Sequence, residues 1–437
     1  MKKYELYNNT KIIYETPDDG YSYFFGYYDK PSLNKDNTKL LTHRVAFDGR
    51  DVQDGDIAEV GYIDLEKNKF IKIDETLAWN WQQGSQLQWL PPEYDNKIIY
   101  NSIKDNKFVS IIYDLNTKEK KIIPFPIYVV HPNGKEALGV NYERHYWCRH
   151  GYNYQNIKNK KWDKPYHEED GIFKIDLENG EVERIINIVD IINTDKLNEF
   201  EYCNNWLEYM MYNPNGDRFM FFHRWAKDGV DLTRLYIANS NDGKELINFP
   251  DIKFYSHSCW KNNEVLSIWS KDFDSLNNST IKKVDNIRSN ILVKIFIRPI
   301  YRLLKPLIPK KVINNIQVEG KHYNLFDKIK NYNDCFSDVL NKVAKFGHQR
   351  WYKDERYLLT DSYQDKDNYR WLYILDTKTS KLKKLVKFYS TYNDCGYRAD
   401  LHPRLSVDEK HITIDSVHDK KRKQIILEIT RKANGNI

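Results

Sequence analysis

The stretch "CGYRADLHPRLSVDEKHITIDSVHD", residues 395–419, sets Arg398, Asp400, His402 and Arg404 at alternate positions. In an extended chain alternate side chains share a face. Two guanidiniums, an imidazole and a carboxylate would then point one way, with Ala399, Leu401 and Leu405 on the other side. Three further segments carry related groups: His257 in "SHSCW", His348 in "GHQRWY", and the pair His223-Arg224 in "FFHRW". One histidine alone is more often structural, its nitrogens bonded to backbone. Several imidazoles converging on Asp400 fit a cage for a divalent ion such as Mn or Ca. A hydrogen-bonded ring sealing a channel fits the same residues equally well. "AWNWQQGSQLQWL" and "NYERHYWCRHGYNY" add Trp79, Trp81, Gln83, Arg144, Arg149 and Tyr152. Flat aromatic faces stack on sugar rings, and arginine forks pair with carboxylates through two bonds, although tryptophans are also ordinary core residues.

Residues so far apart need a fold that gathers them. Self-comparison shows one unit recurring: an extended segment, a polar turn, then a short apolar strand that ends in a polar residue. The copies are "YYDKPSLNKDNTKLLTHR", "SQLQWLPPEYDNKIIYNS", "IYVVHPNGKEALGVN", "LEYMMYNPNGDRFMFFHR", "SHSCWKNNEVLSIWS", "GHQRWYKDERYLLTDS" and "LHPRLSVDEKHITIDS". Strand-like pairs such as "DIAEVGYIDLEKNKFIKI" and "RWLYILDTKTSKLKKLV" lie between them, which makes four strands per unit. Four antiparallel strands repeated in this way predict an all-β, seven-bladed β-propeller formed by residues 1–437 as a single domain. The N-terminal "KYELYNNTKIIYE" is expected to complete the blade that contains "KQIILEI" and so close the ring.

In such a ring the start of each first strand and the end of each second strand meet at one mouth. Tyr28, Asp29, Gln86, His257, His348 and His402 should arrive there from strand starts. His43, Asn101, His223, Asp361 and Asp415 should arrive from strand ends. His131, in the "HPNG" turn, should lie at the opposite end.

Composition narrows the field. Of 437 residues, 41% are hydrophobic, with 33 Tyr, 19 Phe and 11 Trp against 4 Met, a balance that favours strands. The formal charge of +6 is too mild for a dedicated nucleic-acid binder and suits an acidic partner of moderate charge. Five widely spaced cysteines without a C-x-x-C pair indicate neither a zinc ribbon nor a disulfide framework and suggest a reducing compartment. The first residues lack the apolar core of a secretory signal, so a cytoplasmic location is expected. No run of about 18 apolar residues occurs, so no spanning helix is expected. There is no phosphate-binding loop, no G-x-S-x-G elbow and no H-E-x-x-H helix.

Residues 275–335 break the repeat and are expected to be an insertion. Within it, "NILVKIFIRPIYRLLKPLIPKKVINNI", residues 290–316, carries Lys294, Arg298, Arg302, Lys305, Lys310 and Lys311 with no acidic neighbour. Such a segment suits peripheral contact with an anionic membrane surface. A partner-docking arm or a packed insert suits it as well, because Pro299, Pro306 and Pro309 would interrupt a helix.

The motifs "WNWQQG", "FFHRW", "SHSCW", "GHQRWY" and "RADLHPRLSVDEKHITIDSVH" resemble those of the oligogalacturonate-lyase-type propellers, particularly propeller proteins encoded among bacterial surface-polysaccharide genes. The resemblance spans nearly the whole chain outside 275–335. It implies β-elimination on a uronate-containing chain, with a divalent metal held by histidines at the channel mouth. His257 matches the family's "GHE-aromatic" histidine, His402 one from its last-blade cluster, and His223 the histidine of a strand-end "CHE" motif to which proton abstraction has been ascribed. Where the family has Gln-x-x-His-x-His, this chain has Ala399, His402 and Arg404, so an arginine stands in place of one metal ligand. Arg398, Arg404 or a metal could neutralise the uronate carboxylate, and His223 could take the proton. Two functions are consistent with these residues: a polysaccharide lyase acting on an acidic bacterial glycan, and a non-catalytic propeller that binds glycan or assembly enzymes at the membrane surface.

Overall fold

The computed structural model describes residues 3–194, 196–227, 230–249, 253–272, 321–327, 331–334, 337–340, 347–392 and 396–430. Alternating apolar residues and Asn-, Asp- and Gly-rich turns produce antiparallel four-stranded sheets, as expected for a β-propeller. The first comprises Ser22–Phe24, Lys39–Val45, Ala58–Asp64 and Lys69–Thr76. The second and third repeat this pattern through Gln88–Trp89 to Lys120–Ile123 and Val129–Val130 to Val182–Asn187.

The described strands form six sheets rather than the seven separate blades expected. The difference arises after Arg218–Lys227. Val230–Asn239 pairs with Lys253–Trp260 at Thr233 and Lys253, which joins the fourth and fifth sequence units into one eight-stranded sheet. That sheet continues through Leu266–Asp272, Lys321–Asp327 and Asn331–Asp334. Part of the expected 275–335 insertion is therefore sheet. The basic-apolar stretch 290–316 lies outside the described residues.

The chain closes on itself at its ends. Thr10–Glu15 pairs with Lys423–Ile429 as the outer strand of the last sheet, and Tyr4–Leu6 adds a fifth strand to the preceding one, against Lys381–Tyr389. Between the sheets the core is aromatic: Trp79, Trp89, Trp206, Trp225 and Trp269 are fully buried. No helix among the described residues is long and apolar enough to cross a membrane.

Polar residues near the ends of four second strands fasten their unit to the next. His43 Nε2 accepts the Ser85 backbone N–H at 3.1 Å, and Asn101 Oδ1 accepts that of Ile127 at 2.9 Å. Asp361 accepts that of His402 at 3.1 Å, and Asp415 those of Phe25 and Gly26 at 3.3 Å. A buried backbone N–H must find an acceptor, and these side chains supply one at the four places where they meet the entry to the next unit. Near the same places the backbone turns left-handed, at Gly26 (φ 125°), Gln86 (57°), Tyr209 (63°), His257 (36°) and His402 (46°). Non-glycine residues rarely hold this conformation, and where they do it commonly accompanies a functional site.

Candidate active site

A cleft of about 430 Å³ opens where these strand starts meet, lined by Tyr27, Arg149, Tyr152, Tyr209, Arg224, Asp231, His257, Tyr363 and Arg398, with Cys148, His150 and Ser256 completing its wall. Arg149 comes from the loop after the helix Tyr142–Cys148, and stacks on Tyr152 at 4.3 Å. Its Nη1 lies 2.6 Å from Glu208, the carboxylate that also holds Arg224 Nε at 2.6 Å. Burial alone would raise the Glu208 pKa. The Arg149 and Arg224 guanidiniums overcome that and hold it below the ordinary range. Burial, followed by Arg149, lowers the proton affinity of Arg224. Arg398 donates to Asp400 at 2.6 Å and to the Tyr152 hydroxyl at 2.9 Å.

Beneath His257 the imidazoles pack ring against ring. The centroids of His257 and His348 are 4.0 Å apart and those of His348 and His402 4.4 Å, with Tyr28 over His348 at 4.9 Å. Asp400 is fully buried beside them, clamped by Arg370 at 2.5 Å and by Arg398. Burial raises its pKa, and the two guanidiniums hold it well below the usual carboxylate value. His257 and His402 are pushed well below 6.5 by burial, then by the neighbouring His348, so both are neutral. His257 Nδ1, His348 Nε2 and His402 Nε2 are buried without a hydrogen-bond partner. Potential ligand atoms of His348, Asp400 and His402 lie within 4.8 Å of one another. Unpartnered imidazole nitrogens beside a carboxylate suit a divalent ion of the Mn kind, whereas Ca, the other ion expected, takes oxygen ligands and does not suit this donor set.

The structure thus gathers His257, His348, Asp400, His402, Arg398, Arg149, Tyr152 and Arg224. Other expected site residues are occupied elsewhere. His223 and Arg224 are adjacent in a strand, so they point to opposite faces. Arg224 takes the cleft side, while His223 packs on Phe200 and Trp225 with Nε2 3.1 Å from Asn205 Oδ1. Burial, then Arg234, depresses His223 to about 3. Arg404 is an internal tie, donating to Asp415 at 2.8 Å and to the Gly26 carbonyl at 3.3 Å. Arg144 is spent on the carbonyls of Trp162, Lys164, Pro165 and Asn205. Trp81 donates to the Arg50 carbonyl and lies under Arg422 rather than facing a sugar. Gln83 donates to the Tyr128 hydroxyl at 2.7 Å. Tyr28 donates to the Ser258 carbonyl and meets the Tyr209 hydroxyl. His131 lies outside the cleft, its Nε2 3.0 Å from the Gly216 carbonyl.

Sequence reasoning missed Tyr27, Tyr209, Tyr363, Glu208 and Arg370. Glu208 and Arg370 carried a usable signal, since each is the one charged residue of an aromatic and apolar run, "WLEYMMY" and "YRWLYIL".

No protein-family model matches this chain, and no curated protein sequence matches it. Solved structures do. An oligogalacturonate lyase in complex with manganese is similar at 16% identity with a TM-score of 0.61, covering 98% of this chain and 96% of that one. The oligogalacturonate lyase of Vibrio parahaemolyticus is similar at 14% identity with a TM-score of 0.59, over 98% of this chain and 96% of that one. The chain therefore shares the propeller fold of the oligogalacturonate lyases along nearly its entire length.

Proposed function

We propose that the protein is a lyase that cleaves an acidic, uronate-containing bacterial surface polysaccharide, or oligosaccharides from it, by β-elimination in the cleft above His257. The observation carrying this reading is the pairing of a guanidinium-lined cleft with a floor of neutral imidazoles. Arg398 and Arg149 would offer charge to a substrate carboxylate, and Tyr152 and Tyr363 line the same cleft, where sugar rings would lie. His257 is the neutral imidazole that lines the cleft, so it is the group best placed to receive the α-proton. The electron pair released by that proton forms the double bond to the β-carbon, and the β-oxygen leaves with a proton from solvent. His348, Asp400 and His402 would hold a divalent metal, which supplies further positive charge for the carboxylate.

The test is a panel of acidic bacterial glycans, followed by ultraviolet absorbance of the conjugated unsaturated uronate. Growth of that absorbance supports the lyase. Saturable glycan binding without it would support the second reading, a non-catalytic binding module.

A further inference from the structure

Asp361 ends the strand Tyr357–Asp361 and is fully buried. Its Oδ1 accepts the His348 backbone N–H at 2.7 Å and lies 2.9 Å from His348 Nδ1, while Oδ2 accepts the His402 backbone N–H at 3.1 Å. One carboxylate thus touches two residues of the imidazole cluster, which arrive from different sheets. His43, Asn101 and Asp415 fasten other units, but no described contact of theirs reaches a side chain of that cluster.

A carboxylate can only accept, so the Nδ1 it faces carries the proton. A proton on Nε2 instead would leave a buried donor unmatched, because that nitrogen has no partner. His402 is set in the same sense: its Nδ1 is 2.7 Å from the Gly26 carbonyl, which also only accepts. Both Nε2 lone pairs are thereby left for the space beside Asp400. Gly347 permits the arrangement, since a Cβ there would stand 2.1 Å from Thr360 Oγ1 and 2.3 Å from the Asp361 carbonyl.

We propose that Asp361 is the positioning residue of this cluster: it fixes His348 with its proton on Nδ1 and sets His348 and His402 so that their Nε2 lone pairs converge beside Asp400. The inference rests on the metal reading above for its consequence, but its first test needs no metal.

That test is heteronuclear NMR of full-length, metal-free protein carrying nitrogen-labelled histidine, with His348→Gln used for assignment. Wild type should show His348 with Nδ1 protonated. In Asp361→Asn the amide can donate toward the ring, so the His348 signal should move to the Nε2-protonated form or a mixture. Mn²⁺ affinity, read by electron paramagnetic resonance titration, should then fall about 10- to 100-fold, as for other residues that orient metal ligands. Asn101→Ala breaks a comparable inter-unit contact whose hydrogen bonds do not reach the cluster. It should lower Tm while leaving both the tautomer and Mn²⁺ affinity unchanged.

An unmoved His348 signal in Asp361→Asn, or an equal loss of Mn²⁺ affinity in Asn101→Ala, would reduce Asp361 to a structural fastener. If Asp361→Asn fails to fold, a wild-type His348 protonated on Nε2 overturns the proposal by itself. If wild type takes up no Mn²⁺ while the tautomer shifts as expected, the metal reading fails and the positioning role stands.

Discussion

Glu208 and Asp400 each lie between two guanidiniums, Arg149 and Arg224 for the first and Arg370 and Arg398 for the second. Asp231, 3.7 Å from Arg149, balances the first group, whereas in the second two positive charges face one negative charge, so the excess of positive charge lies at Arg370 and Arg398, with no arginine left unpaired and buried. Arg398 is the member that reaches both the cleft and the imidazole cluster. Arg398→Gln should weaken binding of an acidic oligosaccharide about 10- to 100-fold, the scale of one charge-assisted hydrogen bond, measurable by calorimetric titration. His257→Gln should lower kcat about 10²- to 10⁴-fold with Mn²⁺ affinity retained if the residue is the base. Loss of both together would make His257 a further metal ligand instead. Arg404→Gln belongs to another class, because it leaves Asp415 buried beside an absent partner. It should cost about 3–5 kcal/mol in urea unfolding.

The element that places these residues is the turn by which the chain enters each first strand. Gly26 shows how tight that entry is: a Cβ there would lie 2.7 Å from the Gln83 backbone carbon, and φ is 125°. Gly26→Ala should therefore destabilise by at least about 1–3 kcal/mol, visible as a lower Tm. These entries explain what could and could not be read from the sequence. The recurring unit was legible because strand alternation and turn residues are local, and His257, His348 and His402 stand at its start. The facing of neighbours was not legible. Arg218–Lys227 is buried on both sides over most of its length, so apolar pattern alone cannot say whether His223 or Arg224 faces the cleft. Alternation also failed around Arg398, because within residues 398–405 only Arg404–Leu405 is strand and the turn at His402 swings Arg404 toward Asp415. Tyr27, Tyr209 and Tyr363 gave no signal, since buried tyrosines look alike whether they line a core or a cleft.

Across the whole molecule, histidine is used as a buried neutral group far from the cleft as well as within it. Burial pushes His43 down to about 4 and His223 to about 3, and it also lowers His145, His257 and His402. A histidine freed by unfolding binds protons at its ordinary value near 6.5. Between that value and the depressed folded value the unfolded chain therefore holds more protons, so stability rises with pH and is lost as pH falls. His43 alone contributes about 3 kcal/mol over its window, from a separation of about 2.5 pKa units. The depressed carboxylates Glu208 and Asp400 act in the same direction but later, because their contribution is lost only below about pH 4, where an unfolded carboxylate binds its proton. Two acid limbs should follow in the urea midpoint measured against pH, the first starting near pH ~6.5 and belonging to the histidines. His43→Leu should lower stability at neutral pH, by removing the acceptor for the Ser85 N–H, and should flatten that first limb. A midpoint that stays level from about pH 7 to about pH 5 in wild type would mean that the buried imidazoles charge without cost, and the neutral floor of the cleft would fail with it.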